Sequence, residues 1–158
     1  MACTVVFDVN ETLLSLDPVR AWFTSRFDHE PSAKTWFGEL LRLSFVSATT
    51  DRYLPFPELG AVALRTVADR SAQTLEDDDL SYISSVFTML PAHPDVASGI
   101  DHLRAAGFTI AALTNSPLGT ATEQLHNAGL ADRFDSVMSV ELVERFKPHV
   151  SVYRAAAA

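Results

Sequence analysis

The chain has 158 residues, 47% hydrophobic and 20% charged, proportions that suit a soluble globular protein with a sizeable core. Its formal net charge of -8 argues against nucleic acid as a partner, because phosphate binding needs basic surface, and leaves any anion site to local groups. The single cysteine, Cys3, excludes an intrachain disulfide and a Cys-rich zinc site; with no stretch near the roughly 20 apolar residues of a membrane span and no signal-peptide pattern, a cytoplasmic protein with no membrane contact is expected.

In chain order, Cys3 to Phe7 is apolar and rich in β-branched residues, the pattern of a buried parallel strand, with Cys3 expected as a small core residue. The strand runs straight into Asp8-Val9-Asn10-Glu11-Thr12. Ligands of open α/β sheets sit beyond the carboxyl ends of the strands, so Asp8 is where a nucleophile belongs. Asp17-Pro18 opens a helix, with the acid as N-cap and proline at the first helical position. From Ser32 to Ala48, Trp36, Leu40, Leu41, Phe45 and Ala48 recur near i, i+4 spacing and predict an amphipathic helix. Helices from Phe56 to Ala68 and from Leu80 to Leu90 follow; the acidic run Glu76-Asp77-Asp78-Asp79 reads as a solvated helix start favoured by the helix dipole.

After Pro91 the pattern changes. A helix from Asp95 to Ala106 is closed by Gly107, a buried strand from Phe108 to Leu113 ends at Thr114-Asn115-Ser116, and a helix from Pro117 to Ala128 is closed by Gly129. Ser136 to Val140 is a third strand, and a helix is expected after Lys147-Pro148. Helices alternating with apolar strands predict an α/β fold, a three-layer Rossmann-like core with a parallel sheet. Residues 1–14 and 92–158 would form the core, and 15–91 a helical cap inserted after the first strand.

Three polar groups fall at successive strand ends: Asp8 with Thr12, then Thr114-Asn115-Ser116, then Lys147. A lysine beside a carboxylate keeps it ionised, and an ionised carboxylate is a nucleophile. The hydroxyl and amide groups can hold an anionic substrate group. Trp22 and Trp36 read as packing residues. His29, His93, His102, His126 and His149 show no metal-ligand spacing and read as surface or structural, so no metal site is predicted.

The phrases Phe7-Asp8-Val9-Asn10-Glu11-Thr12-Leu13, Leu113-Thr114-Asn115-Ser116 and Lys147-Pro148 with Tyr153 resemble, in order, three motifs of the haloacid dehalogenase superfamily. The helical insert, with Trp36, Leu41, Arg52-Tyr53 and Phe56, is similar to the cap of the type II 2-haloacid dehalogenases. The resemblance implies a hydrolase in which Asp8 attacks a carbon bearing halogen and forms an ester that water hydrolyses. Thr12, Thr114 and Asn115 would bind and orient a small anionic organic substrate, Lys147 would pair with Asp8, and Tyr153 would line the site.

Phosphatases of that superfamily carry a second aspartate two residues after the nucleophile, as general acid for the leaving alcohol. Here Asn10 stands in that place and is assigned to substrate binding, since an amide gives up no proton at neutral pH. Halide needs no proton to leave, so the dehalogenase branch is favoured and no cofactor is implied; the alternative is a magnesium-dependent small-molecule phosphatase. In two places the chain departs from the resemblance. Type II dehalogenases have an arginine after the cap tryptophan, to receive halide, whereas Trp36 is followed by Phe37, which is assigned to the substrate pocket; Arg20, Arg42 and Arg52 carry no matching motif. Family members also continue with a fourth strand beside the first, which here would leave strand 1 at a sheet edge. That predicts a fragment lacking the C-terminal part of the core, with a short protein that completes its sheet as a homodimer as one alternative and an inactive or binding protein on the same scaffold as another.

Overall fold

Three short strands, β1 (Thr4–Phe7), β2 (Thr109–Thr114) and β3 (Ser136–Ser139), form one parallel sheet in the order β1-β2-β3. The computed structural model describes residues 3–28, 31–50 and 52–158; His29 lies outside them. Phe7 pairs with Ala112 across the first ladder and Thr114 with Ser139 across the second. β2 is therefore the middle strand, and Ile110 to Thr114 are all buried. A continuous apolar run is what a strand with neighbours on both sides and helices on its faces requires. β1 lies at the sheet margin, where Val6 is 46% exposed and Cys3, just before the strand, is exposed rather than in the core. Its apolar sequence reads like that of a central strand, but among the described residues β2 is the one strand that pairs with it.

Between β1 and β2 run α1 (Asp17–Arg26), α2 (Ala33–Thr50), α3 (Phe56–Arg70), α4 (Asp79–Thr88) and α5 (Val96–Ala105). α6 (Leu118–Asn127) links β2 to β3, and α7 (Val150–Ala156) follows Lys147-Pro148. Proline starts α1 and α3, where a missing N–H leaves no intrahelical bond unmade. Gly107 and Gly129 follow α5 and α6 at φ +86° and +68°, a left-handed geometry that glycine adopts without a Cβ clash. Asp17 is the first residue of α1 rather than its cap, because the preceding Leu16 holds the N-cap position.

The long helices α2 and α3 pack together. Trp36 is buried, and its indole Nε1 donates to Gly60 O of α3 at 3.0 Å. The buried stripe of α2 runs Trp36, Leu40, Ser44, Ala48. Phe45, one residue past that stripe and so about 100° around the helix, is 48% exposed instead of in the core. The acidic run also differs from its solvated reading. Glu76, Asp77 and Asp78 are exposed, but Asp79 is buried, with Arg26 Nε and Nη2 on its two oxygens at 2.9 and 2.8 Å. A buried carboxylate needs such a fork, since an unpaired one costs several kcal/mol, about 3–5 when a partner is removed.

Asp135 fixes β2 to the turn before β3. Its Oδ2 accepts from Ile110 N at 2.7 Å and from Arg104 Nη1 at 3.0 Å, while its own N–H donates to Ile110 O. The Ile110 amide, with Arg104, holds the Asp135 carboxyl below the usual carboxylate range. Among the described residues no helix is long and apolar enough to cross a membrane.

Candidate active site

The turn after β1 is built to present Asp8. Val9 is fully buried, and its carbonyl accepts from both Leu13 N (2.8 Å) and Leu14 N (3.0 Å), which winds the chain back on itself. Glu11 within this turn has φ +63°, costly for a residue with a side chain by roughly 1–2 kcal/mol. Its carboxylate offsets that cost: Oε1 accepts from Leu16 N at 2.9 Å and Oε2 pairs with Arg20 at 2.5 Å. The turn is thereby fastened to the start of α1.

Both oxygens of Asp8 are engaged. Lys147 Nζ donates to Oδ1 at 2.5 Å and Thr12 Oγ1 to Oδ2 at 3.2 Å. Lys147 Nζ also donates to Leu113 O at 2.7 Å, and its main-chain N–H donates to Asn115 Oδ1 at 3.1 Å. The ammonium therefore has two acceptors at the ends of two adjacent strands, and its backbone is set by the loop after β2. The Asp8 side chain remains 46% exposed and Lys147 17%. They line an open cavity of about 620 Å³ with Phe7, Leu113 and Tyr153. Tyr153 is half exposed on α7, in the wall of that cavity.

The remaining predicted site residues are placed differently from a simple ring around substrate. Thr114 is fully buried, and its Oγ1 accepts from Ser116 N at 3.1 Å, so it shapes the loop. Asn115 uses Oδ1 to accept from the Lys147 main-chain N–H. Asn10 is buried and turned away from the cavity: Nδ2 donates to Ser116 Oγ and Oδ1 accepts from Gln124 Nε2, both at 3.0 Å. Phe37 is half-buried with its ring centroid 6.1 Å from that of Trp36, and lines no wall of the Asp8 cavity. Arg20 and Arg42 are already committed to carboxylates, Arg20 to Glu11 and Asp17, Arg42 to Glu39. A separate apolar cavity of about 90 Å³ lies among Trp36, Phe56, Ile83, Phe87 and Ser116, and none of Asp8, Thr12 and Lys147 lines it. His149 caps α7 through Nδ1, which accepts from Ser151 N. Among the described residues no group of three or more His, Cys, Asp or Glu is arranged to hold a metal ion.

Sequence reasoning missed Gln124 and the Glu11–Arg20 pair. A glutamine inside a helix carries no motif, and Glu11 and Arg20 belong to different elements, so no sequence signal marked either.

An ionised carboxylate between an ammonium and a hydroxyl, at the carboxyl end of a parallel strand, is an arrangement for covalent attack through a carboxylate oxygen. The family model for haloacid dehalogenase-like hydrolases matches residues 4–158. The chain belongs to this family. Among curated haloacid dehalogenases, the (S)-2-haloacid dehalogenase H-109 of Pseudomonas putida is 25% identical over 154 residues, covering 96% of this chain and 69% of the relative. The (S)-2-haloacid dehalogenase 1 of Pseudomonas sp. (strain CBS-3) is 29% identical over 160 residues, covering 96% and 67%. Of solved haloacid dehalogenases, the L-2-haloacid dehalogenase of Xanthobacter autotrophicus with chloropropionic acid covalently bound superposes with a TM-score of 0.88 at 26% identity. That match covers 99% of this chain and 64% of the other, so the chain spans just under two thirds of the solved enzyme's length. A predicted phosphoglycolate phosphatase from Haemophilus somnus shares the fold more distantly, with a TM-score of 0.61 at 18% identity.

Proposed function

We propose that the protein hydrolyses the carbon–halogen bond of small 2-halocarboxylic acids through an ester on Asp8. The observation that supports this reading most is the Lys147 ammonium on Asp8 Oδ1. Oδ1 is held by a charge-assisted bond, whereas Oδ2 carries only the longer bond from Thr12, so Oδ2 is the attacking atom. It forms a C–O bond as the C–X bond breaks, and halide leaves with the bonding pair. Water then adds to the Asp8 carboxyl carbon, the 2-hydroxy acid departs, and the carboxylate is regenerated with release of one proton. Lys147 holds Oδ1 and offsets charge on the carboxylate; Asn115 Nδ2 takes the substrate carboxylate, and Tyr153 forms a wall.

In this reading residues 15–91 act as a cap over a core of 1–14 and 92–158, the enzyme is cytoplasmic, and its substrate is a small organic anion rather than nucleic acid. No cofactor enters the steps, since a leaving halide needs neither a proton nor a charge clamp. A magnesium-dependent phosphatase would need a general acid at position 10. The amide there cannot supply one, and it faces Ser116 and Gln124.

The test is halide release from 2-chloropropionate and p-nitrophenol release from p-nitrophenyl phosphate, each with and without magnesium. Halide release independent of magnesium is expected, with a covalent adduct that peptide mapping locates on Asp8 and that Asp8→Asn abolishes. Magnesium-dependent phosphate release would replace this reading with the phosphatase one, and no adduct or turnover with either substrate would leave an inactive scaffold. Light scattering on the same preparation decides between monomer and homodimer.

A further inference from the structure

Gln124 lies in the middle of α6, fully buried, and makes two hydrogen bonds that join separate parts of the molecule. Its Nε2 donates to Phe87 O at 2.7 Å and to Asn10 Oδ1 at 3.0 Å. Phe87 sits in the last turn of α4, where carbonyls have no partner within the helix. A carbonyl can only accept, which fixes the orientation of the Gln124 amide. That orientation obliges Asn10 to present Oδ1 to Gln124 and Nδ2 to Ser116 Oγ. Asn10 is two residues beyond Asp8, and Ser116 directly follows Asn115, so one side chain on α6 holds the nucleophile turn, the loop after β2 and the end of α4 in a single network.

The network is not an economical way to stabilise a core. Gln124 Oε1 is buried without a partner. Leaving that acceptor unpaired carries a desolvation cost, while the two donor bonds join the turn after β1 to the end of α4.

We propose that Gln124 is a positioning residue for the displacement reaction, holding the turn that carries Asp8 against α4 through Asn10. The proposal rests on the dehalogenase reading for its kinetic arm. When substrate enters under the helical segment, the α4 end and the nucleophile turn are kept in one relative position by the shared Nε2, and the reach of Asp8 Oδ2 to the reacting carbon is set by that position.

The experiment compares Gln124→Met and Gln124→Glu in the full chain. Methionine keeps the length and removes the donors. Glutamate keeps the shape, has no donor when ionised and one O–H when protonated, and burial raises the pH at which it is protonated. For Gln124→Met the expected result is a fall in kcat of about tenfold or more, with KM changed less than about threefold, at every pH. Gln124→Glu is expected to match it in alkali and to recover towards the wild type as the pH falls, each rate taken relative to wild type at the same pH. A purely structural role would lower the melting temperature but leave the kcat of the folded protein, at temperatures well below melting, at the wild-type value for both variants. If Gln124→Met fails to fold, the acid recovery of Gln124→Glu decides alone.

Should the wild type release no halide, hydrogen exchange without substrate separates the two proposals. The Leu13 and Leu14 amides, both bonded to Val9 O, should then exchange faster in Gln124→Met while the Ile110 and Ala112 amides of β2 keep their wild-type rates. A folded Gln124→Met with wild-type kcat, a Gln124→Glu that tracks the methionine variant at every pH, or unchanged exchange at Leu13 and Leu14 would overturn the assignment.

Discussion

Lys147 Nζ stands 2.5 Å from Asp8 Oδ1, although 139 positions separate the two residues in the chain. The same nitrogen rests on Leu113 O at 2.7 Å, so the ammonium is fixed at the junction of β1 and β2. Lys147→Met removes the charge and both bonds and should lower halide release by about a hundredfold or more, within the range found when a single stabilising donor is deleted from an active site. Lys147→Arg keeps the charge but replaces a point ammonium with a planar fork, and is expected to restore only part of the rate. Chloride-electrode assays of both variants, with melting curves to show that they fold, check this.

Asn10→Asp places an acid two residues past the nucleophile, where phosphatases of the family carry one. We expect no phosphatase activity from it, with or without magnesium. The new carboxylate would accept from Gln124 Nε2 and from the Ser116 hydroxyl, and would face away from the cavity as Asn10 does. Detectable release of p-nitrophenol by Asn10→Asp would show that the side chain turns towards substrate.

Glu39 is buried on α2 and receives Arg42 Nη2 at 2.6 Å and Arg70 Nη1 at 3.3 Å. The hydrogen bonds from Arg42 hold its carboxyl below the ordinary value of 4.5. A carboxyl whose folded pKa is depressed contributes stability above its unfolded pKa and loses it as the pH falls through the folded one. Both arginines are largely exposed, so the contribution is discounted to about 1 kcal/mol. Glu39→Gln should therefore melt a few degrees lower at neutral pH, and the gap should close as the pH falls below the ordinary carboxylate value of 4.5. A gap that is independent of pH over that range would show that packing, not charge, is lost.

Tyr53 Oη is buried without a partner, and its ring lies 5.2 Å from that of Phe146, next to Lys147. Burial, with Glu141 and Glu144 nearby, pushes the phenol up to about 12 from its usual 10.0. Tyr53→Phe keeps the ring contact and removes the orphan hydroxyl, so its melting temperature at neutral pH should equal or exceed that of the wild type. Above about pH 10 an unfolded phenol ionises before a folded one, so the wild type should lose stability there and the variant should lose less. An ultraviolet titration in which the variant lacks the highest tyrosine step reports the same property directly.

The strands and their polar ends were legible because each rule points one way: Ile110 to Leu113 is an unbroken apolar run, Asp8 and Asn115 follow β1 and β2 directly, and Lys147 lies in the segment after β3. Packing partners were less legible. Phe45 is as apolar as Leu40 yet faces outwards, because Ser44 rather than Phe45 continues the buried stripe. Asp79 sits in an acidic run that composition assigns to solvent, and its burial depends on Arg26, 53 positions away, together with the Glu76 N–H. Asn10 and Thr114 carry the right chemistry for substrate contact, but their hydrogen bonds run inwards, a direction that spacing along the chain does not encode.

The Asp135 carboxylate grips the Ile110 amide while the Asp135 amide returns to Ile110 O. This two-way clasp works as an index mark for the middle ribbon of the sheet. Side chains alternate sides along an extended chain, so an offset of one place would swing Thr114 to the opposite side and carry Leu113 O out from under the lysine. The alignment of the Asp8 carboxylate with the Lys147 ammonium is thus governed by a clasp near the opposite end of β2, and a defect there would reach that pair without touching any residue around it.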